Sequence, residues 1–229
     1  MQHATANAPA RHSSMKSEGE LAARHASVLL AKTNEELAAA YDKWGIDYDQ
    51  DLHKLGGGEN TVGLCCLGPL KKYANANTHS RLIDIGCGTG YAAPHIHAMG
   101  WREFTALVLS QGMLDIAEKR GVYDRCIRAV LPDTGLPAES YDVVHSAGMF
   151  APAQAPSSSF GEFIRLLKPK GLAVFSIRQH YYDSDEGAEH KDCLLDLVAK
   201  GKWEIVEKTL EPYLPADDVE AYVFVMQKL

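Results

Sequence analysis

The spacing of apolar positions changes once along this chain. Between Leu21 and Trp44 they recur every three or four residues, which predicts two helices, Leu21–Lys32 and Thr33–Trp44. Thr33-Asn-Glu-Glu36 has the form of a capping box that starts the second. Gly56-Gly57-Gly58 is a break, and Asn60–Tyr73 is apolar enough for a packed helix that Pro69 kinks or ends early. From Arg81 short apolar runs alternate with amphipathic stretches. Strands are predicted at Leu82–Ile85, Phe104–Leu109, Arg125–Val130, Tyr141–Ser146 and Leu172–Ile177, with helices at Tyr91–Met99, Ser110–Arg120, Ser157–Lys168 and Ala188–Gly201. Trp203–Leu210 and Val219–Gln227 are strands whose short, proline-containing connection leaves no room for a crossover helix. The order implies an α/β fold in three layers, a mainly parallel sheet between helices, closed by an antiparallel hairpin at one edge.

Composition narrows the classes. The 229 residues suit one domain with an N-terminal extension. Residues 1–19 are polar and rich in Ala and Ser, and read as a disordered tail without the apolar core of a secretory signal. Residues 20–76 form a helical extension and residues 77–229 the α/β domain. A formal net charge of −7 with scattered Lys and Arg argues against nucleic acid as a partner. No apolar run approaches the ~20 residues that span a bilayer. The five cysteines, two of them adjacent and none in a C-x-x-C pair, fit neither a disulfide framework nor a zinc site, so reduced thiols in a cytoplasmic protein are expected.

The chemistry lies in Arg81-Leu-Ile-Asp84-Ile-Gly86-Cys87-Gly88-Thr-Gly90, a strand with one carboxylate running into alternating glycines. Such a turn lets a ligand approach the backbone closely. A dinucleotide fingerprint would place its third glycine one residue later and its acid ~20 residues on. Here Tyr91 stands at that place and Asp84 precedes the turn, which disfavours a nicotinamide or flavin dehydrogenase. A phosphate-binding Walker loop is excluded because no Gly-Lys-Ser/Thr follows. His95 and His97, two apart on a helix, face different sides and make no metal pair. The acidic stretch from Asp183 to His190 reads as a solvated loop, so no metal is expected.

The decapeptide resembles the first motif of class I S-adenosylmethionine-dependent methyltransferases. Tyr41-Asp-Lys-Trp44-x-x-x-Tyr48-Asp, Ser110-Gln-Gly-Met113-Leu114, Leu136-Pro137 before Tyr141-Asp142, Lys168-Pro-Lys-Gly171 and Ser176-Ile-Arg178 are together similar to the methyltransferase-like protein family of the Williams–Beuren region. The resemblance runs in order from about Tyr41 to Arg178. It implies a Rossmann-like class I methyltransferase sandwich, S-adenosylmethionine as cofactor, and methyl transfer to an unidentified, possibly small-molecule acceptor. It also implies a helical lid whose Tyr41, Trp44 and Tyr48 shield the site. Asp84 would serve the ammonium end of the cofactor, often through water. Gly86, Cys87, Gly88 and Gly90 form the turn beneath the methionine and ribose. Leu109 and Ser110 follow the second strand, and Val130 and Leu131 sandwich the adenine.

Two positions depart from that pattern. The acid that ends the second strand in such enzymes, where it accepts from the ribose hydroxyls, is Val108 here, and Glu103 stands at the wrong end of the strand to replace it. Losing a charged acceptor costs about 1.5–3 kcal/mol, roughly ten- to a hundredfold in affinity. The stretch Gly148–Pro156 after the fourth strand is apolar and stiffened by proline, and lacks the Asn-Pro-Pro-Tyr of enzymes that methylate amide and adenine nitrogens. Asp133 is either an adenine contact or a turn residue. No catalytic residue is legible; His145, His180 and Tyr181 stand at the carboxyl edge of the sheet as candidate bases. The alternative function is a binding or scaffold protein on a catalytically weakened fold.

Overall fold

The structure, a computed structural model, describes residues 8–74, 79–152 and 154–229. Helices α1 (Ala8–Leu29), α2 (Asn34–Leu55), α3 (Thr61–Leu64) and α4 (Leu67–Tyr73) precede an alternating series. This is β1 (Arg81–Ile85), α5 (Ala93–Ala98), β2 (Glu103–Val108), α6 (Gln111–Glu118), β3 (Arg125–Arg128), β4 (Tyr141–Phe150), α7 (Ser159–Leu166) and β5 (Leu167–Arg178). Then follow α8 (Gln179–Tyr182), α9 (Ala188–Ala199), β6 (Trp203–Leu214), a 3-10 turn (Pro215–Asp217) and β7 (Val219–Lys228).

The sheet order is β3-β2-β1-β4-β5-β7-β6. β1 to β5 pair in parallel, and β7 inserts antiparallel between β5 and β6, so the closing hairpin lies at the edge as the short connection required. Side-chain alternation divides the core. Ile83, Ile85, Val144 and Phe175 pack with Phe160 and Phe163 of α7 on one face, while Leu82, Val143 and Val174 pack with Leu70 of α4 and Ile96 of α5 on the other. Parallel pairing places Asp84 beside Ala106 of β2 and His145 of β4.

Several boundaries differ from expectation for local reasons. α1 begins at Ala8, inside the stretch read as a disordered tail; its alanines favour helix. Met1–Asn7 lie outside the described residues. α2 continues eleven residues past Trp44, to Leu55, because Gly45 lets it press against α6, where a Cβ would meet Ile116 Cδ1 at 3.2 Å. Thr33 caps α2 by accepting from the Glu36 amide, and the Glu36 carboxylate reaches back to the Lys32 amide. The helix expected over Asn60–Tyr73 is two helices. Pro69 neither kinks nor ends α4, since it sits in the first turn, where its missing N–H has no helical partner to lose. Gly148–Phe150, expected in a loop, belong to β4, whose pairing with β5 shifts register between Ser146 and Phe150.

Candidate functional site

β1 delivers the chain to the turn at the carboxyl edge of the sheet, and Gly86, Gly88 and Gly90 all take positive φ (71°, 55° and 70°). The Gly86 and Cys87 amides both donate to the Leu107 carbonyl, which locks the turn to β2. The three glycines do different work. A Cβ on Gly86 would lie 2.9 Å from Met149 Sδ, and one on Gly90 would lie 3.0 Å from Tyr123 Cε2, so both are packing positions; Gly90 faces α6 and not the cleft. A Cβ on Gly88 would meet only Tyr48 Cε1, at 4.0 Å. The space above Gly88 is therefore open.

Asp84 is buried and committed to protein partners. Tyr123 donates its phenol proton to Asp84 Oδ2 at 2.7 Å, and His145 Nδ1 lies 2.8 Å from Oδ1. The carboxylate expected to serve the cofactor thus also holds His145 beside the turn. With Nδ1–H donated to the carboxylate, Nε2 of a neutral ring is an acceptor. That atom is buried and has no hydrogen-bond partner among the described residues. The His145 residue borders a small cavity at the turn shared with Gly86, Gly88, Thr89 and Tyr91. Tyr123, which composition and spacing did not single out, is pushed well above its ordinary pKa by burial and by Asp84, so it stays a proton donor. The Cys87 thiol is likewise raised by burial, then by Asp84, which leaves it no thiolate character.

Beyond the turn opens a larger cleft of about 120 Å³. It brings together Tyr41, Tyr48, Leu109, Ser110, Val130 and Leu131, with Val108 in its wall. Val108 packs with Met113 and the two tyrosines. Glu103 lies at the other end of β2, paired with Arg81. Ser110 is less free than its place suggests: its oxygen accepts from the Met113 amide and its proton goes to Asp42. Asp133 lies outside the cleft and accepts from the Gly135 amide, a turn role. Gln154, missed in the sequence, accepts from the Tyr41 hydroxyl at 3.0 Å. Of the candidate bases, only His145 borders a cavity at the turn. His180 is exposed, and the Tyr181 hydroxyl is engaged with His190, which is buried and not part of a solvated loop.

The wall over the cleft is held by two carboxylates that recur, like the tyrosines before them, seven residues apart. Asp42 accepts from Ser110 and from the Gly112 amide at the start of α6. Asp49 accepts from Thr89 in the turn and from Arg120, whose Nε also donates to the Thr89 carbonyl. Tyr41 and Tyr48 share one side of α2, with Trp44 parallel to the Tyr41 ring, edge-on to the Tyr48 ring, and its indole N–H on Asp51. Asp49→Ala is expected to lower stability by about 1–3 kcal/mol, because Arg120 and Thr89 lose their acceptor. Amide exchange in α2 around Tyr48 should accelerate about tenfold. Asp47→Ala, which breaks a more exposed pair with Arg24, should cost under about 1 kcal/mol. Equal exchange in the two variants would show that Asp49 does not hold the helix down.

Among the described residues no three His, Cys, Asp or Glu side chains converge as a metal site, and no helix is long and apolar enough to cross a membrane.

Residues 83–175 match the family model of the methyltransferase domain. Human methyltransferase-like protein 27 is 31% identical over 171 residues, covering 72% of this chain and 66% of that protein. The malonyl-[acyl-carrier protein] O-methyltransferase of Yersinia pestis is 33% identical over 95 residues, covering 42% of this chain and 35% of that protein. The chain thus spans 66% and 35% of these two relatives' lengths. The crystal structure of a SAM-dependent methyltransferase from Aquifex aeolicus superposes with a TM-score of 0.56 at 16% identity, covering 79% of this chain and 98% of that one, a likeness of fold. With the glycine turn, the sheet order and the matched domain in agreement, the chain belongs to the class I S-adenosylmethionine-dependent methyltransferases.

Proposed function

We propose that the protein transfers a methyl group from S-adenosylmethionine to a small-molecule acceptor. The observation that carries this reading is the open seat above Gly88. There the backbone makes room that no side chain among the described residues fills, and the two cavities on either side of it share Gly86, Gly88 and Tyr48. The residues present fit the cofactor. The orphaned acceptor His145 Nε2 suits a cationic ammonium, and the strip of Leu109, Val130 and Leu131 suits a flat apolar ring. When bound, the cofactor supplies an electrophilic methyl on a sulfonium that is its own leaving group. The protein's tasks are then alignment and exclusion of water. Asp84 orients His145, the glycine turn sets the depth of the site, and Tyr41 and Tyr48 close over it. Both phenols are held well above their ordinary pKa, chiefly by burial, so they act as neutral walls and not as bases.

Val108 supports a second reading, a binding or scaffold protein that uses the same cleft with little turnover. Calorimetric titration with S-adenosylmethionine and S-adenosylhomocysteine separates the two. The methyltransferase reading requires both to bind and the first to be consumed on addition of acceptor; absence of heat at millimolar ligand rejects it. Val108→Asp restores a charged acceptor for the ribose and should tighten S-adenosylhomocysteine by about ten- to a hundredfold. It should also destabilise the free protein by about 1–3 kcal/mol, since the position is 9% exposed among aromatic rings. Unchanged affinity would show that the ribose does not lie against β2.

A further inference from the structure

A second cavity, of about 300 Å³, lies between α1, α2 and the ends of β4, β5 and β6. Tyr41, Tyr48, Gly148 and Gln154 line both it and the cleft beside the glycine turn, so the two spaces share a wall. Its walls are mostly apolar, built from Leu21, Val28, Trp44, Leu52, Val62 and Leu214. One permanent cation stands in them, Arg178, the last residue of β5. Its Nε is buried without a hydrogen-bond partner, and among the described residues it forms no ion pair. Its guanidinium carbon lies 5.4 Å from the centre of the Tyr213 ring.

A guanidinium whose Nε is buried without a partner is costly unless something completes it. Its neighbour Tyr213 supplies a hydrogen bond but no counter-charge. His25 is held below its ordinary pKa, chiefly by burial and then by Arg178 itself, so it stays neutral and adds no second cation. Tyr41, Tyr48 and Tyr213 are held above theirs, chiefly by burial, and stay neutral. Asp217, on the 3-10 turn, also lines the cavity but is exposed and forms no ion pair with Arg178.

We propose that this cavity binds an apolar carboxylic acid, its hydrocarbon body against the α1 and α2 walls and its carboxylate on Arg178, as the acceptor side of the site. A planar guanidinium matches a carboxylate in shape and charge. One cation neutralises one carboxylate, whereas a phosphate monoester would leave excess negative charge among apolar walls. The proposal rests on the methyltransferase reading for the word acceptor, but not for the binding itself.

The test is calorimetry on the full chain, with and without saturating S-adenosylhomocysteine, using hexanoate, octanoate, decanoate and 1-octanol. Octanoate should bind about ten- to a hundredfold more tightly than 1-octanol. Arg178→Met should remove that preference while leaving 1-octanol and S-adenosylhomocysteine unchanged, which also reports that the variant is folded. Arg178→Lys should keep part of the preference. Equal binding of octanoate and 1-octanol, no binding by any of the acids, or an Arg178→Met variant that retains octanoate overturns the proposal. If octanoate binds through Arg178 but S-adenosylhomocysteine does not bind at all, the methyltransferase reading falls and the anion site stands. If S-adenosylhomocysteine binds and the acids do not, only the cavity proposal falls.

Discussion

Gly88→Val is expected to weaken S-adenosylhomocysteine binding by about a hundredfold or more, equivalent to ~2.8 kcal/mol, with far less effect on the fold. Two features of the position make the effect specific. The side chain would extend into the open space above the turn, where only Tyr48 Cε1 lies within 4.0 Å, so the obstruction falls on the ligand and not on the core. The backbone there has φ +55°, a conformation that costs a residue with a Cβ about 1–2 kcal/mol. Gly121→Val isolates that second contribution. Gly121 has φ +67°, its Cβ would meet nothing within 4 Å, and it borders neither cavity of the turn. Urea denaturation should show similar losses for the two variants, and calorimetry should show lost binding only for Gly88→Val. Binding within about threefold of the parent protein would remove the turn as the seat of the cofactor.

Asp84→Ala should destabilise the protein by about 2–6 kcal/mol, because Tyr123 and His145 each lose a buried partner at ~1–3 kcal/mol apiece. Asp84→Asn separates structure from chemistry. The amide oxygen can still accept from Tyr123, but the amide nitrogen is a donor, which forces His145 Nδ1 to accept and moves the ring proton to Nε2. The variant should keep most of the stability lost in Asp84→Ala, yet bind S-adenosylhomocysteine about ten- to a hundredfold less tightly, because an N–H then faces the ammonium. Paired urea denaturation and calorimetry on the two variants measure this. An Asp84→Asn variant with undiminished affinity would show that Nε2 does not act as the acceptor.

What the sequence revealed and what it concealed divide along chain distance. The strand-turn of β1, the Ser110 cap and the edge hairpin are local statements of spacing, and the structure has them where spacing put them. Asp84 was conspicuous, but its partners lie 61 and 39 residues away, and only the register of β1 on β4 and the return of the chain after α6 bring them together. Pro69 misled because its effect depends on which helical turn it occupies, and that depends on a break at Cys65–Cys66 that no residue type announces. The clasp by Asp42 and Asp49 did carry a signal. Each follows a tyrosine, and a seven-residue repeat returns to the same helical face. The second cavity carried none, since its walls come from six separate elements and its one cation from the end of a strand.

The shared wall sets a rule for how the two cavities respond to their occupants. Tyr41 and Tyr48 belong to both, and both stand on α2, which Asp42 and Asp49 fasten to α6 and to the glycine turn. A ligand that shifts α2 from one side therefore changes the other side's affinity through the same helix. Thermodynamic reciprocity makes the factor equal in both directions, so the strength with which a methyl donor favours an acceptor can be read equally from either titration.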